Sequence, residues 1–367
     1  MKLMKLMLSA IAAVLVLASC NKQNHTPENT NLKSVQISLE NVQVLTKNPG
    51  HATDLNGTKV NLTSVQFFFS DGTDIYPVKK ADGTAADTYL TGTELADLSN
   101  IAYHFIPAAA NRVFAIGNMP EKQVTTVAEI MTSLKIAEQQ DPDNLTLYAA
   151  SMMVNKTTTH PEHPETDVYM VDLNLMPRIA RIEVKGASCT FSNPALYDKI
   201  AIKSLAFVDY YEACNLRTGE ASAVNTLTLN QVNVHNFFSG IPAGGVWYAD
   251  ASTVELAPAT SSDPDANVAP AADFDFAYNF FPGEGAYPRL IADVITTKDG
   301  ADASAYLATL GFHGPGDQHI AANQFEPGKI YRLSFNFKDT DLEHHDRCVE
   351  MNVTIASWEV FAVTPVF

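Results

Sequence analysis

The sequence predicts a mainly β protein of two tandem β-sandwich domains, with one or two short helices in the first. Three observations carry that expectation. Short apolar–polar alternations bounded by Gly, Pro, Asn and Asp recur along most of the 367 residues, the pattern of strands joined by turns. One stretch alone, 127–138, holds a convincing helical spacing. The length suffices for two domains of ordinary size. With the boundary near residue 176, they span 33–176 and 177–367.

Hydrophobic residues make up 46% of the chain and charged residues 18%, the balance of a folded globular protein. The formal net charge is −17. Lys2 and Lys5 lie in a segment expected to be removed. Without them 22 basic residues face 41 acidic ones, a net charge of −19. No basic cluster occurs, so nucleic acid is not an expected partner. Cys189, Cys214 and Cys348 are an odd set without C-x-x-C spacing. They offer no zinc signature and at most one internal disulfide, whose pairing stays open. The fold must therefore rest on hydrophobic cores.

Residues 1–19 read as a secretory signal peptide, with Lys2 and Lys5, an apolar run to Leu17, and small residues after it. The run is too short for a spanning helix. It leads into Leu17-Ala18-Ser19-Cys20, which resembles the bacterial lipobox, whose Cys is acylated and becomes the first residue of the mature chain. An ordinary signal with a chance Cys is the alternative. The lipobox implies lipidation at Cys20 and attachment to a membrane through that lipid. Residues 20–32 are polar and read as a flexible tether.

Val35-Gln36-Ile37-Ser38-Leu39-Glu40 alternates cleanly as a strand, with Val35, Ile37 and Leu39 inward. Val42 and Val44 continue it after a parity slip at Asn41 that reads as a bulge. Residues 46–59 carry Asn48-Pro49-Gly50, Asp54 and Asn56-Gly57, a loop expected to be exposed and easily cut. Val65-Gln66-Phe67-Phe68-Phe69 is the next strand, closed by the turn at Asp71-Gly72. Arg112-Val113-Phe114-Ala115-Ile116-Gly117-Asn118 fits a buried central strand. Thr126-Val127-Ala128-Glu129 has the form of a capping box. Val127, Ile130, Met131, Leu134 and Ala137 follow at helical spacing, so a helix is expected over 127–138. Asp141-Pro142-Asp143-Asn144 stops it.

The domain junction falls near Met176-Pro177. Beyond it Ala180, Ile182 and Val184 alternate inward. Residues 257–272, rich in Pro, Ala, Ser and Asp, read as surface loop. Leu333, Phe335 and Phe337 share one parity in the penultimate strand, and a loop over 339–346 makes a hairpin with the last. In that last strand Val349, Met351, Val353 and Ile355 alternate with Glu350, Asn352 and Thr354. From Trp358 onward both parities are apolar, with Trp358 and Val360 on one and Phe361, Val363 and Phe367 on the other. Such a strand needs cover on both faces. Either it closes its own domain or its cover is another molecule.

The sequence has no G-x-S-x-G, no H-E-x-x-H, no P-loop and no G-x-G-x-x-G opening a helix. No catalytic residue, cofactor or metal is expected. His160-Pro161-Glu162-His163-Pro164-Glu165 could ligate a metal, but prolines keep these side chains off one fixed face, and a solvated loop is preferred. His344-His345-Asp346, with His313 and His319 upstream, is equally weak. Asp141-Pro142-Asp143-Asn144 lacks the Gly and distal Glu of a calcium loop. The Phe67–Phe69, Phe237-Phe238 and Phe280-Phe281 groups could be aromatic platforms for sugars, yet strand aromatics more often serve the core.

Taken in order, several pieces resemble one family. They are the lipobox, the strand over 33–45, the loop at Asn48-Pro49-Gly50, the strand over 63–69, and Arg112-Val113-Phe114-Ala115-Ile116-Gly117-Asn118. The helix at Val127, residues 178–185, Gly328-Lys329-Ile330-Tyr331 and the ending Val353-Thr354-Ile355-Ala356-Ser357-Trp358-Glu359-Val360 continue the series. The family is the FimA-like fimbrillins, major subunits of the type V pili of Bacteroidia. The resemblance implies two transthyretin-like β-sandwich domains, no enzyme activity, and a place on the outer membrane surface and in the fimbrium. It implies that a protease cuts the loop after the first strand and removes Val35, Ile37, Leu39, Val42 and Val44 with it. A strand from the C-terminal region of the next subunit then takes the vacated place. Here Trp358, Val360, Phe361, Val363 and Phe367 would be its donor residues. That is β-augmentation, and a head-to-tail donation that does not close on itself grows into a filament. The partners are then other copies of the chain and related subunits, in an adhesive pilus of unidentified ligand.

One departure matters. The family's usual cut follows an arginine, and this chain has none before Arg112. Lys47 and Lys59 are the basic residues of the loop and the candidate cut sites. The alternatives are an untrimmed, lipid-held pilus anchor, or a surface carbohydrate-binding lipoprotein whose tail stays in its own domain. A secreted hydrolase ranks last.

Overall fold

The computed structural model describes residues 32–40, 42–44, 60–98, 101–130, 132–153, 156–159, 167–192, 196–225, 254–256, 272–314, 318–342 and 348–357. They form two compact units. The first draws on 32–44, 60–132 and 141–177, the second on 133–140 and 178–357. Both are built mainly of strands.

The chain begins with β1 (Leu32–Glu40), β2 (Val42–Val44), β3 (Val60–Leu62), β4 (Ser64–Ser70), β5 (Ile75–Tyr76) and β6 (Tyr89–Thr91). Helix α1 (Gly92–Ala96), β7 (Ala102–Pro107), β8 (Arg112–Gly117) and helix α2 (Val127–Ile130) follow. After β9 (Ser133–Lys135), which belongs to the second unit, come β10 (Leu147–Met152), β11 (Lys156–Thr159), β12 (Asp167–Asn174) and β13 (Met176–Pro177). One sheet has the order β11-β12-β1-β7. The other has the order β13-β10-β8-β4-β5, with β6 also on β4.

β4 is buried along its whole length, as apolar residues on both of its faces require. The Gln66 side chain within it is satisfied by one backbone unit. It donates to the Lys122 carbonyl at 2.8 Å and accepts the Lys122 N–H at 2.8 Å. Phe67 and Phe69 of β4 meet the ring of Tyr103 on β7 at centroid distances of 6.0 and 5.0 Å. That contact joins strands of the two sheets and marks the middle of the sandwich core.

The second unit contains β14 (Ala180–Thr190), β15 (Lys199–Val208), β16 (Tyr210–Asn215), β17 (Ala221–Asn225), β18 (Val254–Leu256) and β19 (Ala272–Phe280). It ends with β20 (Arg289–Lys298), β21 (Ala301–Gly314), β22 (Gln318–His319), β23 (Lys329–Lys338) and β24 (Cys348–Ser357). The strand order is β18-β15-β20-β21-β24-β23-β14-β19, and β17, β16 and β9 make a small separate sheet. β24 changes partner midway. Its first half, through Asn352, runs parallel to β21, and from Val353 it pairs antiparallel with β23. Strands that change partner in this way turn the corners of a sandwich. Phe207 of β15 meets Tyr278 and Phe280 of β19 at 4.6 and 5.6 Å, joining the two sides of the core.

Two local expectations are corrected. The helix stops at Ile130. Leu134, on its expected face, instead pairs with Cys214 as part of β9, and Ile136 is buried in a 3-10 turn. Tertiary pairing overrides the helical spacing of these residues. Only one half of the expected capping box is seen, the Glu129 carboxylate accepting the N–H groups of Thr125 and Thr126 at 2.6 and 3.3 Å. Asn41, the expected bulge, lies outside the described residues, but Val42 and Val44 do not continue β1 and belong to a different sheet. The β1–β12 ladder ends at Glu40 opposite Asn174. Val42 and Val44 have no ladder left to continue, and β2 pairs with β3.

Candidate functional site: the place of the first strand

β1 is an interior strand, hydrogen-bonded on both sides. It runs parallel to β12 without a break, from Lys33 opposite Asp167 to Glu40 opposite Asn174. Its antiparallel ladder with β7 is shorter and irregular. It covers Leu32 to Gln36 only, with a bulge where His104 and Phe105 crowd opposite Ser34. The bulge turns Phe105 outward. This residue has φ of 58° and is 38% exposed, a left-handed backbone that bulky side chains rarely adopt. The ring of Tyr103 is wholly buried beneath the same seam, and its hydroxyl has no hydrogen-bond partner among the described residues. Burial pushes that phenol well above its usual pKa.

The inner face of β1 is apolar. Val35 and Ile37 are fully buried and Leu39 is half-buried. Full burial of two such side chains stabilises the seat of β1 by roughly 3–6 kcal/mol. Polar ties accompany both faces, Lys33 sharing the parity of Val35, with Ser34 and Ser38 on the opposite one. Lys33 Nζ donates to the carbonyls of Ala108 and Ala110, each at 2.8 Å, and lies 5.4 Å from the Tyr169 ring centre. Burial lowers the Lys33 pKa, opposed by the nearby Asp167 carboxylate. Ser34 Oγ is 2.9 Å from His104 Nδ1, and Ser38 Oγ donates to the Asp172 carboxylate.

β3 is held independently of β2. The Asn118 side chain accepts the Thr63 N–H at 2.9 Å and donates to the carbonyls of Asn61 and Leu145 at 2.7 and 2.9 Å. Its φ of 57° is one that asparagine tolerates. Gly117 lets Leu62 approach, since a Cβ there would stand 2.7 Å from Leu62 Cδ1. β1 and β2 thus lie on one side of residues 45–59 and the anchored β3 on the other. Separating them would leave β12 and β7 with unpaired backbone edges flanking an apolar groove, the condition for accepting an extended strand.

Of the residues singled out from sequence, Val35, Ile37 and Leu39 come together on β1. Val42 is buried on β2, and the backbone of Val44 is placed there too. Cys20, Lys47, Lys59, Trp358, Val360, Phe361, Val363 and Phe367 lie outside the described residues. So do the 160–165 and 344–346 clusters and Phe237-Phe238. Phe67, Phe68, Phe69, Phe280 and Phe281 are core residues, each at most 3% exposed. Cys189 and Cys214 are free, buried thiols, and burial pushes the Cys214 pKa up to about 11. Among the described residues no helix is long and apolar enough to cross a membrane. Sequence reading missed His104, Asp172 and Tyr103. The two hydroxyls four residues apart on the outer face, Ser34 and Ser38, were the available signal, but nothing local named their partners.

No protein-family model and no curated protein sequence matches this chain. Solved structures are similar to it. A candidate cell adhesion protein from Parabacteroides distasonis is 12% identical, covers 91% of this chain and 98% of its own, and has a TM-score of 0.51. A fimbrilin, FimA, from Porphyromonas gingivalis is 13% identical, covers 92% and 99%, and has a TM-score of 0.47. A candidate cell adhesion protein from Bacteroides eggerthii is 13% identical, covers 92% and 98%, and has a TM-score of 0.46. At these identities the likeness is one of fold.

Proposed function

We propose that this chain is a structural, non-enzymatic subunit of an adhesive cell-surface pilus. It is exported as a lipoprotein acylated at Cys20 and held at the outer membrane. A cut within residues 45–59, at Lys47 or Lys59, releases β1 and β2. The both-faced apolar segment with Trp358, Val360, Phe361, Val363 and Phe367 from another copy then enters between β12 and β7. The observation that carries this reading is the position of β1. It is an interior strand with an apolar face, followed at once by a change of sheet and a turn-rich stretch. The main chains of β12 and β7 would supply affinity and the Val35 and Ile37 sites would supply side-chain pockets.

A second reading is an untrimmed anchor that keeps β1 and its lipid, favoured by the lack of arginine before Arg112. The carbohydrate-binding reading required an exposed aromatic platform, and five of the Phe residues offered for it are buried.

The test is the size and N-terminal sequence of the protein purified from cells without boiling. A ladder of multimers with an N-terminus within 46–59 supports trimming and strand exchange. A monomer still acylated at Cys20 supports the anchor. Deleting residues 358–367 should abolish the ladder, and an unchanged ladder from a folded deletion variant excludes the exchange mechanism.

A further inference from the structure

We propose that the place of β1 is filled in one direction, by residues 358–365 of another copy running the same way as β1 and entering at its Ile37–Glu40 half. This rests on the strand-exchange reading above and names the partner's orientation in that site. β1 is held unevenly. Leu32–Gln36 lie between ladders with β7 and β12, whereas Ile37–Glu40 pair with β12 alone among the described residues. The first half also carries the Lys33 bonds to Ala108 and Ala110 and the Ser34–His104 contact. In the second half the Ser38–Asp172 tie is exposed and Leu39 is half-buried. A stretch bonded on one side opens at a lower free energy than one bonded on both. A cut within 45–59 frees that same end, since β2 follows it with three ladder pairs to β3. A strand entering there has one ladder to displace and not two.

The occupant is the segment that follows β24. The ladder of β24 with β21 ends at Asn352, and that with β23 ends at Ser357 opposite Lys329, the first residue of β23. Gly328, next in that direction, gives its N–H to the Ile179 carbonyl at 2.7 Å. β23 therefore offers no further ladder from Trp358 onward. Trp358–Pro365 is eight residues, the length of the Lys33–Glu40 ladder with β12. Laid in the direction of β1, Trp358, Val360, Ala362 and Thr364 take the places of Lys33, Val35, Ile37 and Leu39. Glu359 takes that of Ser34, beside His104, and Pro365 takes that of Glu40. Proline lacks the N–H that a strand paired on both sides uses, so it belongs in the half paired on one side. Laid the other way, Pro365 falls at the place of Lys33, between two ladders. Glu359 then turns inward at the half-buried place of Leu39, a costly site for a carboxylate.

Cysteine pairing between copies in the multimer ladder from cells reads the direction, with one acceptor on β12. Val363 lies opposite Asp172 in the proposed direction, and Glu359 lies beside it in the reverse one. V363C/D172C should therefore give a ladder that survives boiling until a thiol reductant is added, and E359C/D172C should not. Survival in E359C/D172C, or in neither variant while the unboiled ladders persist, overturns the proposal. The entry half is read by amide hydrogen exchange in the full chain, with Phe67 and Phe69 of β4 as the folding control. Amides bonded to β12 should exchange at least about fivefold faster in Ile37–Glu40 than in Lys33–Gln36, as one fewer hydrogen-bonded neighbour implies. Equal protection, or faster exchange in Lys33–Gln36, overturns the proposal, and decides it where a cysteine variant loses its unboiled ladder. A wild-type chain that gives no ladder at all overturns the strand-exchange reading itself, whereas a ladder with the wrong crosslink overturns the direction alone.

Discussion

β1 and β14 hold the same position in their own sheets. Each has a parallel neighbour on one side, β12 or β23, and an antiparallel neighbour on the other, β7 or β19. Each also sends fully buried aliphatic side chains inward, Val35 and Ile37 in one, Ala180, Ile182 and Val184 in the other. They differ in what their other face does. The polar ties of β1 are mostly open to solvent, those of Ser38 to Asp172 and of Lys33 to Ala108 being exposed, while Ser34, which meets His104, is 3% exposed. In β14 that face is buried and ionic. Glu183, 1% exposed, accepts from Arg181 and from Arg332 of β23, each at 2.9 Å. Arg181 also donates to Asn279 of β19 at 3.2 Å, and Asn279 donates to the Gln139 carbonyl at 2.6 Å. β14 is therefore tied to both neighbours by groups that water cannot replace, whereas water can take over the exposed ties of β1 at Ser38 and between Lys33 and Ala108, though not that of the buried Ser34. The lesson is that apolar pattern and topology alone do not separate a strand built to stay from one that can leave. The polar face does.

The comparison can be broken most forcefully at Glu183. Glu183→Ala strands Arg181 and Arg332 without their shared anion, and the expected loss is about 3–5 kcal/mol in urea unfolding followed by circular dichroism. A loss below ~1 kcal/mol would mean β14 rests on its apolar face as β1 does. On that apolar face the two strands should behave alike. Ile37→Ala and Ile182→Ala should each cost about 2–5 kcal/mol, and a clear inequality would place the difference in packing instead. The polar face of β1 should matter far less to global stability, with Ser38→Ala costing no more than about 1 kcal/mol.

Cys189, on β14, sharpens the contrast without any substitution. Burial pushes its thiol far above the usual range, so thiol reagents at pH 8 should leave it unlabelled under conditions in which the β1 amides exchange. Labelling at the rate of β1 opening would show that β14 opens too. The smallest effect concerns Glu129, held below the usual carboxyl range by the N–H groups of Thr125 and Thr126. A depressed carboxyl stabilises the fold above its unfolded pKa and loses that contribution as pH falls through the folded value. Glu129→Gln should therefore lower stability slightly at neutral pH, with the two proteins converging as pH falls through the folded value, so that the acid side of the profile flattens.

Much of this is visible in the residue pattern. β1, β4, β8, β14 and β23 could all be read from alternation or from an unbroken apolar run, because burial of one or both faces imposes those periods. Residues 133–140 could not. Leu134 fits a helix by spacing, and only its pairing with Cys214 makes it a strand. The change of sheet between β1 and β2 reads as a bulge in the sequence because both shift parity by one. The polar groups around β1 were illegible for a different reason. His104 and Asp172 lie 70 and 134 residues from the serines they meet.

By itself the sequence determined the fold class and a minority of the strands, β1, β4, β8, β14 and β23 among them, since those follow from side-chain chemistry repeating along a short stretch. Only the tertiary structure decided which strands are neighbours, that β1 lies between β12 and β7, and that β24 serves two partners in turn. Those facts depend on contacts between residues far apart in the chain, and no local period encodes which distant backbone will supply the other half of a ladder.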